Sequence, residues 1–423
     1  MSCITYDYTR RGIISGMISR NLACAGFLLA FTLAAAAAER TVVFPPGVKP
    51  VGPYSPGILT SEYLYVSGQG VRAADGSMPA TFAAQARQCL ENIKTIVEAA
   101  HLTMDHVVYI QVYFADIGQY DALEPILAGY FGKNPPARAT LGVHRMPTGT
   151  TLEINAVAVR DLARKKPIVP QGYKRESASV PGVQVGDRLF IGGAFGRDPA
   201  GQVPEDPAVQ VQLALDQFRA VLSAAGMDFR HVVFVNPYLT AKLPMDAMNR
   251  VYAKHVEFGN TPARATIQVA SLPMGAQIEF TGVAIGDLSK RRAVRPKNMA
   301  PSATASPCVW ADDTLYCSAK AGFIPGQNGG IWAPDVENQV RQTMRNLLDG
   351  LEEADLDFSN VLVSNVYLDD IEDFARMNAV YGKYFGAVPP ARTTVAPKPP
   401  VERKPDAQGR SPRLEEISVI AVK

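Results

Sequence analysis

The chain has 423 residues, room for two to four domains of ordinary size. Hydrophobic residues make up 47% and charged residues 19%, a globular balance with enough apolar side chains to build a core without metals or many disulfides. A formal charge of +2 argues against a general polyanion partner.

The N-terminus stands apart. Arg10, Arg11 and Arg20 precede an apolar run from Leu22 to Ala38 that ends in five alanines. A basic flank, a short apolar segment and small residues at its end predict a secretory signal peptide over residues 1–38, cleaved near Ala38, and hence an exported protein in the periplasm or outside the cell. A membrane anchor is the competing reading, but 17 uncharged residues sit at the lower limit for a span. The remaining chain keeps Cys89, Cys308 and Cys317. The last two flank a hairpin pattern turning at Asp312-Asp313, which sets them opposite each other. A cross-strand disulfide and two free thiols are both open there.

Three copies of one pattern follow. Copy one has a strand at Tyr63–Ser67, then an amphipathic helix from about Ala80 to Ala100 with Phe82, Ala86, Cys89, Leu90, Ile93, Ile96 and Val97 on one stripe. A strand at Val107–Phe114, a helix from near Gly118 to Phe131, a strand through Arg138 into Val143 and a closing strand at Thr151–Val159 complete it. Copy two repeats this with Leu189–Ile191, a helix from Pro207 to Ala225, Val232–Leu239, a helix around Met245 to Val256, Ala265–Val269 and Gln277–Ile285. Copy three has Thr314–Cys317, a helix over Pro334–Leu351, Val361–Leu368, a helix over Ile371–Phe385 and Leu414–Val422. The basic linkers 160–175 and 289–297 read as solvated connectors.

Five residues mark each copy: Pro136-Ala137-Arg138-Ala139-Thr140, Pro262-Ala263-Arg264-Ala265-Thr266 and Pro390-Ala391-Arg392-Thr393-Thr394. The arginines are 126 and 128 residues apart, a period that means whole domains rather than a solenoid of small units. Glu153 and Glu279 each follow their arginine by 15 residues; Glu416 follows by 24 because a polar, Pro-rich loop over 398–412 intervenes. The boundaries expected are 39–162, 163–288 and 289–423. Strands first and last with two helices between give an α+β class, one sheet with both helices on a single face.

The early Ser-Gly-Gln strand end, Pro-Ala-Arg and a Glu on the last strand together resemble the RidA (YjgF) family of reactive-intermediate deaminases. The resemblance covers nearly all of residues 44–423 and implies three chorismate-mutase-like domains folded as a covalent pseudo-trimer, with ligand clefts between neighbouring copies. It implies that the family arginine is Arg138, Arg264 and Arg392, and the family glutamate Glu153, Glu279 and Glu416. The family Tyr matches Tyr54 alone, with Ser179 and Ala305 at the same offset. The family Ser matches Ser67 and Ser318, with Gly192 in copy two. The family Asn matches Asn249 and Asn378, with Glu124 in copy one. Thr140, Thr266 and Thr394 replace the family Cys. No single copy holds the full set.

Hydrolysis of a 2-imino acid requires a carboxylate anchor, a positioned water and a group that moves protons. The arginines supply bidentate forks; the glutamates, with a pKa raised by burial, hold water and exchange protons; Tyr54, Ser67 and Ser318 orient substrate or water; Asn249 and Asn378 join the binding set. The alternative role of the arginines and glutamates is a salt bridge tying copies together. No cofactor is implied, and the five histidines show no metal-ligand spacing. The expected partner is a small carboxylate or imine, with no nucleic acid, no membrane once the leader is removed, and a monomeric chain. The competing functions are a non-catalytic small-carboxylate binding protein, and a scaffold or weak ribonuclease-like relative.

Overall fold

The computed structural model describes residues 40–423 apart from 49, 174–177 and 327–329. The expected leader lies outside the described residues. Three sheets dominate. The first runs Thr41–Val43, Gly57–Leu59, Tyr63–Gln69, Leu152–Val159, Val107–Phe114, Ala137–Gly142 in spatial order. All its pairs are antiparallel except the last, in which Ile110 faces Arg138 in a parallel ladder. The second and third sheets keep this order, with Val235 facing Arg264 and Ser364 facing Arg392 in the same parallel register.

Each sheet carries two helices on one face: α1 (Phe82–Ala99) and α2 (Tyr120–Phe131), α3 (Pro207–Ala224) and α4 (Met245–Tyr252), α5 (Val336–Glu352) and α6 (Phe374–Tyr381). The long helices start where a side chain can accept an orphan amide. Thr81 accepts from Ala84 N, Asp206 from Ala208 N ahead of Pro207, and Asp335 from Asn338 N. The α1 stripe buries Ala86, Cys89, Leu90, Ile93, Ile96 and Val97 against its own sheet, while Phe82 at its start is half-buried. Several expected elements are shorter or longer than their pattern. The helix expected to reach Val256 stops at Tyr252, and the one over Ile371–Phe385 is helical only at 374–381 between two 3-10 turns.

The opposite faces of the three sheets meet one another. Tyr63, Tyr65, Phe190, Phe234 and Tyr316 share one core that draws on all three copies. Tyr113, Tyr238 and Tyr367, at equivalent positions, share a second. The chain is therefore a covalent pseudo-trimer of α+β repeats. Arg188 lies in the first of these cores, 5% exposed. Its guanidinium stacks over Tyr63 at 5.1 Å and donates to Ala311 O and Thr314 Oγ1 at 3.1 Å each. Tyr63, Arg188 and Thr314 are the equivalent first residues of the strands 63–69, 188–195 and 314–320.

The linkers are not solvated connectors throughout, and that expectation is corrected. Lys165–Ile168 and Arg291–Val294 are edge strands. Lys165 Nζ donates to Asp105 O, Val107 O and Asn134 O at 2.7–2.8 Å, and Arg291 Nε to Val232 O at 2.9 Å. Arg40 Nη1 reaches Val361 O at 3.1 Å, so the first repeat clasps the third and the ring of repeats closes. Each basic side chain thus satisfies carbonyls at a strand end of the preceding repeat, which a strand terminus alone leaves unpaired. Val309–Tyr316 forms the expected hairpin, with Cys308 paired opposite Cys317 and the two joined as a disulfide.

Candidate functional site

The strand bearing each arginine lies against the early strand of the next repeat, so each cleft belongs to two repeats. Arg392 faces the first repeat, Arg138 the second and Arg264 the third. The early strand is bulged at its Ser-Gly position in the first repeat, between Val66 and Gln69, and again between Cys317 and Lys320 in the third. A bulge re-aims the local backbone, a frequent device beside binding sites.

The 3/1 cleft unites Arg392 and Asn378 of the third repeat with Tyr54, Ser67 and Glu153 of the first. Arg392 is 4% exposed, and its main-chain N donates to Ser67 Oγ at 2.8 Å. Ser67 Oγ donates in turn to Ser55 O at 2.5 Å. Arg392 Nη1 donates to Asn378 Oδ1 at 2.8 Å, and its guanidinium lies 5.2 Å from the Tyr54 ring and 5.0 Å from the Tyr381 ring. Among the described residues Arg392 makes no ion pair. Burial pushes the Glu153 carboxyl up to about 8, against the opposing pull of Arg392 and of the Thr394 amide. A cavity of about 440 Å3 opens onto Tyr54, Glu153, Phe374, Arg392 and Thr394. Thr394 Oγ1 is buried there without a hydrogen-bond partner among the described residues. Gly68 makes room for the acid: a Cβ at this position would lie 2.0 Å from Glu153 Oε1.

The 1/2 cleft brings Arg138 to Glu279, but with different neighbours. Arg138 Nη2 donates to Glu124 Oε1 at 2.6 Å and to Tyr120 OH at 3.1 Å. Glu124 Oε2 accepts from Ala178 N of the second repeat at 2.6 Å. The carboxylate of Glu124 therefore occupies the guanidinium where Asn249 and Asn378 stand in the other repeats. A Cβ at Gly192 would lie 3.0 Å from Arg138 N, so the strands close up where the other clefts hold a serine. Glu279 is fully buried and accepts from Thr140 N at 3.2 Å; burial holds its carboxyl well above the usual range.

The 2/3 cleft keeps the arginine side of the arrangement. Arg264 N donates to Ser318 Oγ at 2.8 Å, Ser318 Oγ donates to Ser306 O at 2.6 Å, and Arg264 Nη1 donates to Asn249 Oδ1 at 2.8 Å. The acid side differs. Ala319 stands where Gly68 and Gly193 leave space, since a Cβ at Gly193 would also lie 2.3 Å from its own glutamate, Glu279. Glu416 turns to Arg413 Nη1 at 2.8 Å, and the void of about 30 Å3 beside it is lined by Gln268, Asp369, Lys398 and Arg413 rather than by Arg264. Ala305 replaces the tyrosine.

The eleven residues expected at sites gather at the three seams between repeats, but unequally. Among the described residues no family arginine pairs with a family glutamate, the alternative role; Arg138 instead pairs with Glu124, a residue noted in the sequence only as a departure. Ser67 and Ser318 commit their hydroxyl protons to backbone carbonyls and accept from the arginine amide, so they position the strand that carries the anchor. Asn249 and Asn378 orient the guanidinium. The sequence reading missed Arg413, which arrives from the end of the Pro-rich loop, and Ala319, whose signal was a single methyl group beside Ser318.

The endoribonuclease L-PSP family model matches this chain three times, over residues 46–160, 174–286 and 296–399. A RutC family protein of Aquifex aeolicus is 34% identical over 124 residues, 29% of this chain and 99% of that protein. The 2-iminobutanoate/2-iminopropanoate deaminase of Escherichia coli K12 is 37% identical over 114 residues, 26% of this chain and 89% of that protein. The crystal structure of the YjgF gene product of E. coli covers 29% of this chain and 99% of its own length at 32% identity, with a TM-score of 0.28. With its three matches spanning most of the sequence, the chain belongs to the endoribonuclease L-PSP family, the RidA (YjgF) family, and carries three of its domains in one polypeptide.

Proposed function

We propose that the chain hydrolyses small 2-imino acids to 2-keto acids and ammonia, and that the 3/1 cleft does so. One observation carries this reading: Tyr54, Ser67 and Glu153 of one repeat meet Asn378 and Arg392 of another around an open cavity, completing a set that no repeat holds alone. The deaminase name of the E. coli relative supports it.

Arg392, buried and without a protein carboxylate, takes the substrate carboxylate through its fork; such charge-assisted bonds are worth about 1.5–3 kcal/mol each. Asn378 and Tyr381 hold the guanidinium plane in place. Glu153, protonated at neutral pH, donates its proton to the imine nitrogen. The resulting carboxylate accepts a proton from water as the water oxygen bonds to C2, giving a carbinolamine. Glu153 then returns that proton to nitrogen, the C2–N bond breaks, and ammonia leaves as the hydroxyl passes its proton to the Glu153 carboxylate, which gives the ketone and restores the acid. Tyr54 and Thr394 present hydroxyls to the bound intermediate. No covalent bond to the protein forms.

Export is part of the proposal. The apolar run at 22–38 supports it, and so does the Cys308–Cys317 disulfide, which suits an oxidising compartment. The activity test is direct: 2-iminopropanoate is generated in situ by an amino-acid oxidase, and release of the keto acid is followed with and without the protein. Release that no protein concentration accelerates ends the proposal.

A further inference from the structure

We infer that the 3/1 cleft prefers 2-imino acids with a large apolar side chain, branched or aromatic, over 2-iminopropanoate. The inference rests on the deaminase reading of that cleft and names the substrate class within it. The cavity of about 440 Å3 falls in the range of about 300–1,000 Å3 that encloses drug-sized ligands, and a methyl side chain leaves most of it empty. The reacting groups account for only part of the lining. Apart from Phe374, Arg392 and Thr394, the walls come from the first repeat: the loop before Tyr54, the turn at 73–76, and the face of α1 that carries Asn92 and Thr95.

The walls of this outer chamber say what the side chain is. Phe374, the first residue of α6, sets its ring 5.5 Å from the Arg392 guanidinium, so an apolar surface stands beside the anchor. Pro46, Val51 and Ala73 add aliphatic surface. Val51 is 57% exposed, and a ligand side chain packed on it takes that surface out of water. The polar side chains along the chamber are committed to the protein. Arg72 Nη1 donates to Gly76 O at 3.0 Å and its Nη2 to Thr148 O at 2.9 Å. Asn92 Nδ2 donates to Gly70 O and Arg72 O, and its Oδ1 accepts from Gln88 Nε2 at 2.8 Å. Glu91 accepts from Tyr130 OH at 2.6 Å and lines the same chamber, so a second carboxylate on the substrate meets a like charge there. A charged side chain gains no free partner, whereas a hydrocarbon one gains cover.

The test compares imines generated in situ by amino-acid oxidases from phenylalanine, leucine, glutamate and alanine. In the wild type, kcat/KM is expected to be at least about tenfold higher for the phenylalanine and leucine imines than for 2-iminopropanoate. A73W and T95W fill the chamber away from the reacting groups. Both are expected to lose that preference and to keep the wild-type rate on 2-iminopropanoate, with circular dichroism confirming that they fold. Equal values for large and small imines in the wild type overturn the inference, and so does a preference for the glutamate imine or one that survives both variants. Turnover without a size preference leaves the deaminase reading standing and removes this one alone. If no imine is turned over, the deaminase reading falls, and titration with phenylpyruvate and with pyruvate decides the chamber. Phenylpyruvate binding at least about tenfold tighter in the wild type, and not in A73W, keeps the apolar site; equal affinities remove it.

Discussion

Arg138 and Glu124 form an ion pair of 2.6 Å inside the 1/2 cleft, and that carboxylate lies on the fork that would otherwise meet a ligand. On the proposed function, Glu124 takes the place of a substrate carboxylate at this arginine. E124N, which installs the asparagine of the sister repeats, leaves Arg138 buried and uncompensated. Breaking one partner of a buried pair costs about 3–5 kcal/mol. E124N is therefore expected to melt lower than wild type, and millimolar pyruvate is expected to restore part of the difference by binding the freed arginine. A melting curve that does not move with either change removes the surrogate role.

Turnover should follow Arg392 and Glu153. R392A loses the carboxylate fork, so kcat/KM should fall by about one to two orders of magnitude. E153Q keeps the anchor and loses the proton carrier, so kcat should fall by about 10²–10⁴-fold while pyruvate still binds. Equal losses in both parameters for both variants would mean that the two side chains do not divide the work in this way.

The acid needs its proton. The Glu153 carboxyl is pushed up to about 8 by burial, so it is protonated below that pH and ionised above it. Activity should hold through neutrality and decline above about pH 8 with the loss of a single proton. A decline centred instead near pH 4–5 would mean an ordinary, solvated glutamate.

Gly68 should be intolerant of a methyl group. A Cβ there would lie 2.0 Å from Glu153 Oε1, so G68A must displace the carboxylate. The expected result is a loss of kcat of at least about 10²-fold with little change in pyruvate affinity. Wild-type kcat in G68A would show that the carboxylate does not work from this position.

Glu415 offers a separate test on stability. It is buried beside Thr343, it accepts from Gly322 N at 3.1 Å, and burial pushes its carboxyl up to about 8. Leu152 and Ile278 hold the equivalent places in the other sheets. Between the ordinary glutamate range and pH 8 the folded chain binds a proton that the unfolded chain has released. This group therefore lowers stability as pH rises through that window, by at most about 1.4 kcal/mol per pH unit, and levels off above it. E415Q keeps the acceptor oxygen and should flatten that decline. Urea midpoints from pH 5 to pH 9 with the same slope in both proteins would contradict this.

Much of the fold was legible in the sequence because each repeat keeps its own periodicity. Val107–Phe114, Val232–Leu239 and Val361–Leu368 are strands at the bounds their β-branched runs indicate. The α1 stripe lies against the sheet because apolar residues recur at helical spacing. The short edge strands at 41–43, 165–168 and 291–294 were not visible, because three or four residues carry no period and take their partners from a neighbouring strand. The same limit governs the clefts. Arg392 and Glu153 stand in different repeats, and only the closing of the ring, with Arg40 on Val361, determines which glutamate each arginine meets. Arg413 was hidden because it stands just past the Pro-rich loop over 398–412, outside every motif.

Arg188 has an evolutionary consequence. Identical subunits would bring three guanidinium groups together at that end of the axis, where mutual repulsion would drive them apart. Here one arginine rests on the tyrosine of one neighbour and the threonine of another, an arrangement open only to unlike modules. Once such a contact is in place, the modules are no longer interchangeable. A gene cut back to one of them could not rebuild the same assembly from copies of itself, so the fusion acts as a ratchet, and each pocket is free to drift on its own.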